Sequence, residues 1–502
     1  MFRFRRQVYL DNNATTMVSP EVRKQINRVL KNNFGNPSSL YRTARNSAMI
    51  LENSREMLAQ VIHASAEEIY FCGCASEANN TVIKSLAEHF YPDKKKIITT
   101  QIEHSSVLKP LEYLADKGFS IQFCPVDRFG RVDINGLAKM IDNDTFLICC
   151  MLANNEIGTI QDIAKITNLA HANGILALCD CVQALGKIKV DVTEMGMDYA
   201  TFSAHKIHGP KGIGALYVKQ GVPISPLIHG GHQEQGLRAG TEGLHNIAGF
   251  AVALKNVDWL LHQEKKLLDL KKFFIAEIKK IKDDIIVNSP PENCLPNTIS
   301  IRFPGINNAM LMSMLDYYGI SVSAGSACNT QEDAPSHVLK AIGLLPEETR
   351  ETIRFSFSAW TSQKSIKYAL DVICDYITEK KSEAMSISPA QFDEDMVFNK
   401  NNFIFDIRWP IERKLTKALP NSYEGSFINF QKYLPVLPKD KRIIVICQSG
   451  YSAPIVAYYL AKKGFRDVSF VFGGLVMWKI AYPELYKAKA GQNKQKLTLP
   501  IH

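Results

Sequence analysis

The chain has 502 residues, of which 46% are hydrophobic and 22% charged, with a formal net charge of +9. That length predicts about three domains, and the composition is typical of a globular protein and excludes a mainly disordered one. No apolar stretch approaches the ~20 residues that a membrane helix needs, and the spread-out basic residues provide no strong nucleic-acid signal.

The cellular compartment is predicted from the first residues and the cysteines. The start, MFRFRRQVYL, lacks the long apolar segment of a secretory signal. The eleven cysteines are an odd number, form no C-x-x-C pair and lie mostly in apolar runs such as FLICC. Such cysteines are typical of reduced core residues, so a cytoplasmic protein is expected.

The first part of the chain alternates short apolar runs with amphipathic helical stretches. Between about residues 97 and 220 the strand-like runs are KKIITT, FSIQFCPV, TFLICCML, GILALCD, DYATFS and GALYV. This alternation predicts βαβ units and a mostly parallel sheet, in a large α/β domain over residues 1–250.

Three further segments follow. Long helical patterns and the short strands NTISIRF and TIRFSFS predict a smaller α+β domain over 251–378. The polar stretch EKKSEAMSISPAQFDEDM predicts a linker over 379–397. A second α/β pattern, from NFIFDIR through RIIVICQSG to DVSFVFGG, predicts a domain over 398–490, with a tail at 491–502.

Polar groups follow the strand-like runs of the large domain. Ligands of open α/β sheets bind outside the carboxyl ends of the strands, so these groups are expected at one edge of the sheet. They are His104, Asn154, Asn155, Asp180, Gln183, Ser203, His205 and Lys206.

Together these residue types point to pyridoxal 5'-phosphate. Lys206 can form a Schiff base, Asp180 can pair with a pyridinium nitrogen, and His104 can stack on the ring and move protons. Ser76, ahead of a helix-like segment, offers a hydroxyl beside backbone amides that suit a phosphate. Each residue alone is more often a solvated lysine, a capping aspartate or a structural histidine; their conjunction favours the cofactor.

Residues from about 8 to 375 resemble the pyridoxal-phosphate cysteine desulfurases of the iron–sulfur cluster type, in the class V aminotransferase family. The resemblance lies in YLDNNATT, FGNPSS, EHSSV, NNEIG, CDCVQALGK, SAHKIHGPKGIGALY, HGGHQEQGLRAGTEG, SAGSACNTQEDAPSHVLKAIG and IRFS. It implies a fold-type I pyridoxal-phosphate transferase, with a large α/β and a small α+β domain.

The resemblance also implies roles for individual residues. Arg354 and Asn155 would bind the substrate, Arg354 through its carboxylate. Thr241 would reach the phosphate from the other subunit, which implies a homodimer. The cofactor would be bound by Lys206, Asp180, His104, Ala75, Ser76, Asn155, Gln183, Ser203, His205 and Thr241.

Cys328 is implied as the catalytic thiol. It lies in AGSACNTQEDAPS, a stretch of small and polar residues that is typical of a loop and not of a core. The resemblance implies that L-cysteine is converted to L-alanine with the help of Lys206 and His104, leaving a persulfide on Cys328. A sulfur-acceptor protein is then expected as a partner.

Residues from about 398 to 485 resemble a rhodanese domain through FIFDIR, EGSFIN, IIVICQSGYSAPIVAYYLAKKGF and VFGGLVMW. Cys447 would be its thiol, at a helix start where amides lower a thiol's pKa. Asp406 and Arg408 resemble the structural DxR pair. The loop CQSGYSA lacks the family's arginines, so thiosulfate binding is not expected, whereas acceptance of sulfur from Cys328 is.

Two positions depart from the desulfurase pattern, because Cys74 and His232 replace family glycines. Several alternatives stay open. The enzyme could be a selenocysteine lyase or a transaminase. The C-terminal domain could be a docking module without chemistry, or a phosphatase of related fold, although a phosphatase would want an arginine in its loop. The acceptor could serve iron–sulfur clusters or thiolation.

Overall fold

The computed structural model describes residues 7–325, 335–378, 385–416, 419–489 and 495–496. The chain packs into two compact units that are not contiguous in sequence. Among the described residues, the first unit lies within 9–305 and 322–366, and the second within 7–8, 306–321 and 367–496. The first unit therefore crosses the domain boundary predicted at residue 250, and the second crosses the one predicted at residue 378.

The strands, in chain order, are β1 (Val8–Tyr9), β2 (Ile69–Cys72), β3 (Lys96–Thr100), β4 (Ser120–Cys124), β5 (Thr145–Cys149), β6 (Leu176–Asp180), β7 (Tyr199–Ser203), β8 (Gly214–Val218), β9 (Ile286–Val287), β10 (Thr298–Arg302), β11 (Ile320–Ser321), β12 (Thr352–Ser356), β13 (Met385–Ile387), β14 (Asn402–Asp406), β15 (Ser422–Glu424), β16 (Arg442–Ile446), β17 (Val468–Val471) and β18 (Gln495–Lys496).

The helices are α1 (Pro20–Asn32), α2 (Arg42–Ile62), α3 (Ala75–Phe90), α4 (Ser105–Ala115), α5 (Ile134–Met140), α6 (Ile163–Ala172), α7 (Leu244–Lys255), α8 (Val257–Leu261), α9 (Glu264–Ile281), α10 (Asn308–Tyr317), α11 (His337–Ala341), α12 (Pro346–Thr349), α13 (Gln363–Thr378), α14 (Glu394–Phe398), α15 (Pro410–Leu415), α16 (Ala453–Lys462), α17 (Gly474–Ala481) and α18 (Pro483–Lys489).

A seven-stranded sheet forms the centre of the first unit, in the order β2-β8-β7-β6-β5-β3-β4. Strands β3 to β7 pair in parallel, and β8 runs antiparallel to both β7 and β2. Every residue of β5 and β7 is buried, as expected for parallel strands that are covered on both faces. The predicted α/β fold class, with its mostly parallel sheet, is confirmed.

A small antiparallel sheet, β12-β10-β9, also belongs to the first unit. Its register pairs Thr298 with Ser356 and Arg302 with Thr352. Asn13 donates from its main-chain and side-chain nitrogens to the hydroxyls of Ser356 and Thr298 at 2.9 and 2.8 Å. Hydrogen bonds between residues far apart in the sequence thus tie the N-terminal segment to this sheet.

The second unit contains a parallel sheet in the order β13-β17-β16-β14-β15-β18. Strand β13 falls inside the predicted linker, where Met385 pairs with Ser469 of β17. This strand of three residues is too short to show strand periodicity in the sequence, and only Ile387 of the three is buried. The predicted linker over 379–397 therefore supplies elements of this sheet.

Two helices that precede the predicted linker pack in the second unit. Met310 of α10 packs against the apolar core formed by β14, β16 and α16. Tyr376 of α13 lies beside Tyr458 of α16, with ring centroids 5.7 Å apart. None of the helices in the described ranges is long and apolar enough to cross a membrane.

Candidate active site

A cavity of about 220 Å³ lies at the edge of the large sheet where β3, β5, β6 and β7 end. The structure brings the predicted residues of several strand ends to this one place. The predicted residues that line the cavity are Ala75, Ser76, His104, Asn155, Asp180, Gln183, Ser203, His205, Lys206 and Arg354.

Lys206 extends from the single 3₁₀ turn Ala204–Lys206 that follows β7. Its Nζ donates to the carbonyl oxygens of Asn13 and Ala14, at 2.6 and 2.9 Å. Both carbonyls belong to the N-terminal segment YLDNNATT, which also lines the cavity. The amine is thereby positioned at the cavity wall, where a carbonyl compound could reach it.

Asp180 ends β6 and is oriented by two donors. Asn79 Nδ2 donates to Oδ2 at 3.1 Å, and the Val182 amide donates to Oδ1 at 3.0 Å. Asn79 is itself oriented by the Thr201 hydroxyl, which donates to its Oδ1 at 2.9 Å. The side chain is buried and faces a cavity, an arrangement that suits pairing with a protonated ring nitrogen.

His104 is the N-terminal cap of α4. Its Nδ1 accepts from the Ser106 amide at 3.1 Å and lies 2.8 Å from the Ser106 hydroxyl. Because an amide can only donate, Nδ1 carries no proton and the neutral ring has its proton on Nε2. Burial lowers the pKa of His104, and the charges of Lys206 and His337 lower it further, against the opposing effect of Asp180.

The start of α3 supplies the site that suits a phosphate. Ala75 and Ser76 open this helix, so their amides lack partners within the helix and the dipole favours an anion. Gly214 of β8 is required here, because a Cβ atom would lie 2.7 Å from the Cys74 carbonyl carbon. His205 contacts Thr15 Oγ1 at 3.1 Å; burial and nearby lysines lower its pKa to about 4.

The two departures from family glycines are accommodated without strain. Cys74 has φ −173°, which is extended backbone, and His232 has φ −85°. Neither residue has the left-handed conformation that would favour glycine.

Arg354 lies in β12 with 2% of its surface exposed. Its Nη2 donates to Asp11 Oδ1 at 2.7 Å and its Nη1 to the Asn155 carbonyl at 3.0 Å. Its Nε has no hydrogen-bond partner among the described residues. A buried guanidinium with unused donor capacity at a cavity wall fits the binding of a carboxylate.

Two predicted site residues stand apart. Cys328 lies outside the described residues. The residues on either side of that segment are close to the site: Ser323 pairs with Arg354 across two backbone hydrogen bonds, and Ser336 Oγ donates to Glu156 Oε2 at 2.6 Å. Thr241 is exposed, and the described residues that line the cavity do not include it.

Sequence reasoning assigned no role to Asn13 and Lys187, although both lie in quoted motifs. Asn13 lines the cavity and binds Lys206, and the buried Lys187 donates to Asn13 Oδ1 at 3.1 Å and to Gln183 Oε1 at 2.5 Å. Lys187 lies four positions after Gln183 in a segment of turns, and an apolar context around a lysine is the signal that could have identified it.

Cys447 follows β16 and opens the loop 447–452, which we call the Cys447 loop. Its sulfur accepts hydrogen bonds from the backbone amides of four residues, which are Ser449, Gly450, Ser452 and Ala453. The thiol is nevertheless only 4% exposed, and burial raises its pKa more than the amides lower it. The net direction is therefore opposite to the lowering expected from the sequence, because desolvation outweighs the amides.

The start of α17 fixes the path of this loop. Amides of Leu475 and Val476 donate to the carbonyls of Cys447 and Gln448, both at 2.9 Å. These bonds hold the first two carbonyls of the loop against the start of α17. Gly474 makes the approach possible, because a Cβ atom there would lie 2.4 Å from the Cys447 oxygen.

The DxR pair is buried and reaches the same loop. Arg408 Nη2 donates to Asp406 Oδ2 at 2.7 Å, and both side chains are at most 1% exposed. Arg408 Nη1 also donates to Thr416 Oγ1 at 2.7 Å, and Thr416 contacts Gln448 Oε1 at 3.2 Å. This chain of hydrogen bonds links the buried Asp406–Arg408 pair to the Cys447 loop.

Within the described ranges, no group of three or more histidine, cysteine, aspartate or glutamate side chains is arranged to hold a metal ion.

Comparison with known proteins gives two family matches. The class-V aminotransferase model matches residues 8–368, and the rhodanese-like domain model matches residues 388–481. The chain is 40% identical to a cysteine desulfurase IscS of Dictyoglomus turgidum over 399 residues, covering 79% of this chain and all of that protein. It is 37% identical to the cysteine desulfurase NifS of Azotobacter vinelandii over 361 residues, covering 72% of this chain and 90% of that one.

Solved structures agree with these matches. A NifS-like protein, 38% identical, superposes with a TM-score of 0.71 and covers 74% of this chain and all of its own. SspA in complex with cysteine, 33% identical, superposes with a TM-score of 0.64 and covers 71% of this chain and all of its own.

Proposed function

This chain belongs to the class-V aminotransferase family and is a pyridoxal-phosphate-dependent cysteine desulfurase with a rhodanese-like domain; from that premise we propose that sulfur taken from L-cysteine passes from Cys328 to Cys447. The observation that carries this proposal is the set of four amides around the Cys447 sulfur, in a loop whose sequence contains no arginine or lysine. Amide donors can stabilise a persulfide anion, and without arginine or lysine the loop lacks the charge-assisted hydrogen bonds that would strengthen the binding of a dianion such as thiosulfate.

The residues around the cavity fit the cofactor. Lys206 would form the covalent link, Asp180 would pair with the ring nitrogen, and the start of α3 with Ser203 and His205 would bind the phosphate. When bound, pyridoxal phosphate would withdraw electrons from the α-carbon of the substrate. The neutral His104, with its proton on Nε2, can stack on a ring and exchange a proton with a neighbouring group.

The substrate steps use residues of this chain. Arg354 binds the carboxylate of the substrate cysteine. Lys206 removes a proton from the α-carbon of the substrate and later returns one to it. The Cys328 thiolate attacks the substrate sulfur, the carbon–sulfur bond breaks, and its electron pair goes to the carbon, which takes up a proton and leaves as alanine.

The relay needs no oxidant. The Cys447 thiolate attacks the outer sulfur of the Cys328 persulfide; that sulfur–sulfur bond breaks, a new one forms at Cys447, and Cys328 leaves as a thiolate. An acceptor protein, serving iron–sulfur clusters or thiolation, then takes the sulfur from Cys447.

The relay is tested with sulfur-labelled cysteine and peptide mass spectrometry of the full chain. The relay predicts label on both Cys328 and Cys447, with label at Cys447 lost in Cys328→Ser and retained in Cys374→Ala, a matched control at a half-buried cysteine of α13. Label confined to Cys328 would refute the relay. Mixing Cys328→Ser with Cys447→Ala protein tests whether transfer crosses between chains.

A docking role for the rhodanese-like domain is the second candidate, and the burial of Cys447 favours it. A thiol that is 4% exposed and has a raised pKa is a poor nucleophile until the loop opens. In that case Cys447→Ala would deliver sulfur to an acceptor as fast as the unchanged protein, and alkylating reagents would leave Cys447 unmodified.

We propose that the chain forms a homodimer with shared sites. The exposed Thr241 of each subunit would then contribute to the phosphate site of the other subunit. Thr241→Ala and Lys206→Ala are each expected to impair activity. If Thr241 acts across the interface, hybrid dimers of the two variants contain one intact site and regain activity. No recovery in hybrids would assign Thr241 to its own subunit or to no site.

A further inference from the structure

Lys187 is a buried lysine that does not line the Lys206 cavity. Lys187 is 8% exposed, and burial lowers its pKa well below the ordinary value for lysine. The positive charges of Lys206 and Arg354 lower this pKa further, by smaller amounts. Burying an amine is costly unless its N–H groups find acceptors. The acceptors that Lys187 uses therefore indicate what the residue does.

Both acceptors belong to residues that line the cavity. Lys187 Nζ donates to Gln183 Oε1 at 2.5 Å and to Asn13 Oδ1 at 3.1 Å. The other end of the Gln183 amide, Nε2, donates to the Asn13 carbonyl at 2.9 Å. That same carbonyl accepts from Lys206 Nζ at 2.6 Å. Lys187 is thus one hydrogen bond away from two residues of the site.

The orientation of the Gln183 amide depends on this contact. Rotating a glutamine amide by half a turn exchanges its oxygen and its NH₂ group, so the contacts at its two ends distinguish the orientations: the Asn13 carbonyl accepts from Nε2, and Lys187 donates to Oε1. The donation from Lys187 Nζ to Oε1 favours the orientation in which the oxygen faces Lys187, and it acts together with the Asn13 carbonyl at the other end of the amide. The NH₂ group is then the atom left for Asn13 and the cavity.

We propose that Lys187 is a positioning residue, which fixes the Gln183 amide so that the cavity meets an N–H donor and not a carbonyl oxygen. A donor is what an anionic ring oxygen of the cofactor requires, whereas a carbonyl oxygen would repel it. The proposal rests on cofactor binding and is independent of the sulfur relay.

Asn13 does not need Lys187 for its own orientation. Its Nδ2 donates to the Asn155 carbonyl at 3.1 Å and to Thr298 Oγ1 at 2.8 Å, and its Oδ1 also accepts from Asn297 Nδ2 at 3.1 Å. Removing Lys187 therefore leaves Asn13 in place, whereas the Gln183 oxygen loses its donor and the amide keeps only the contact with the Asn13 carbonyl.

The test is a double-mutant cycle with Lys187→Met, Gln183→Ala and the double variant. The dissociation constant of pyridoxal phosphate is measured with apoprotein, together with the absorption maximum of the bound cofactor. Each single variant is expected to weaken binding by about tenfold, as the loss of one oriented hydrogen bond does. The double variant is expected to be no weaker than Gln183→Ala, because the two changes remove the same interaction.

Lys271→Met is the matched control. Lys271 is equally buried, at 8% exposure, and its Nζ contacts Cys294 Sγ at 3.0 Å and the Leu295 carbonyl at 3.3 Å, away from the cavity lining. This control is expected to lower stability without changing the affinity for the cofactor or its absorption maximum. Unchanged affinity in Lys187→Met, or additive losses in the cycle, would overturn the proposal.

Lys187→Gln carries the test if the methionine variant does not fold. It retains an N–H donor in a shorter uncharged side chain, so its dissociation constant is expected to stay within about threefold of the unchanged protein. A Lys187→Gln variant that binds the cofactor as weakly as Gln183→Ala would contradict the positioning role.

Discussion

The Lys206 cavity and the Cys447 loop are built from different parts of the chain. The cavity consists of side chains from several strand ends and from the N-terminal segment, each oriented by others. The Cys447 loop surrounds its sulfur with main-chain amides of one short segment, and the start of α17 fixes its path. Both are expected to handle sulfur, one by breaking a carbon–sulfur bond and the other by holding a persulfide.

The difference predicts how each site fails. A site made of side chains depends on which residues are present, because each group has its own chemical task. A site made of amides tolerates side-chain changes and depends on the backbone path, which glycines make possible where atoms approach closely. Three substitutions test this contrast, and a fourth, at Glu103, tests the buried carboxyl that precedes His104 in the chain.

Replacing Lys206 with alanine is expected to have the largest effect. Without the amine, both the covalent link and proton transfer are lost, and alanine release from cysteine falls by about three orders of magnitude or more. Lys211→Ala is the control, because that neighbouring lysine is exposed. Retained activity in Lys206→Ala would contradict the assignment of this cavity as the active site.

Replacing Arg354 with alanine is expected to raise KM for cysteine by about 100-fold, because charged hydrogen bonds to the carboxylate are lost. It also leaves Asp11 without its ion-pair partner, which costs about 2 to 3 kcal/mol of stability. Arg302→Ala, which removes ion pairs to Glu348 and Glu351, is expected to lower stability while KM stays unchanged.

Replacing Gly474 with alanine is expected to disrupt the Cys447 loop without touching the desulfurase. Gly474 has φ +58°, and the added Cβ would meet the Cys447 oxygen, so strain of ~1–3 kcal/mol is expected together with the clash. Label at Cys447 should fall while alanine release is unchanged. Gly464→Ala is the control, with φ +87° and open space; equal labelling in both variants would show that the loop does not need this approach.

Replacing Glu103 with glutamine is expected to have the smallest effect, on the pH dependence of stability. Burial raises the pKa of Glu103 to about 8. Between its ordinary pKa and that value the folded protein keeps a proton that the unfolded chain releases. The free energy of unfolding therefore decreases with rising pH across this window.

Denaturation at pH 5 and pH 8 measures this contribution. The unchanged protein is expected to lose more stability between these pH values than Glu103→Gln does, by up to a few kcal/mol. Glu67→Gln, at an exposed glutamate, is the control. An equal loss in all three proteins would place the titration elsewhere.

Much of the cavity could be predicted because parallel strands end at a common edge. His104, Asp180 and Lys206 follow apolar runs that are recognisable one by one, and topology then brings them together. The strand β2 and the edge strand β13 are not among the predicted strands, because IYFC is short and β13 has only one buried residue. The family resemblance, the cofactor and the enzyme class inferred from these motifs are confirmed.

Residue types at strand ends, apolar periodicity and motif spacing, all local properties, thus determined the fold class, the enzyme and the candidate residues. Only the tertiary structure decided that Gln183 meets Asn13, 170 positions away, and that its Nε2 donates to the Asn13 carbonyl. It also decided that Cys447 is buried so deeply that its pKa rises despite four amides. Desolvation and hydrogen-bond orientation depend on neighbours that are distant in the chain, and no local pattern encodes them.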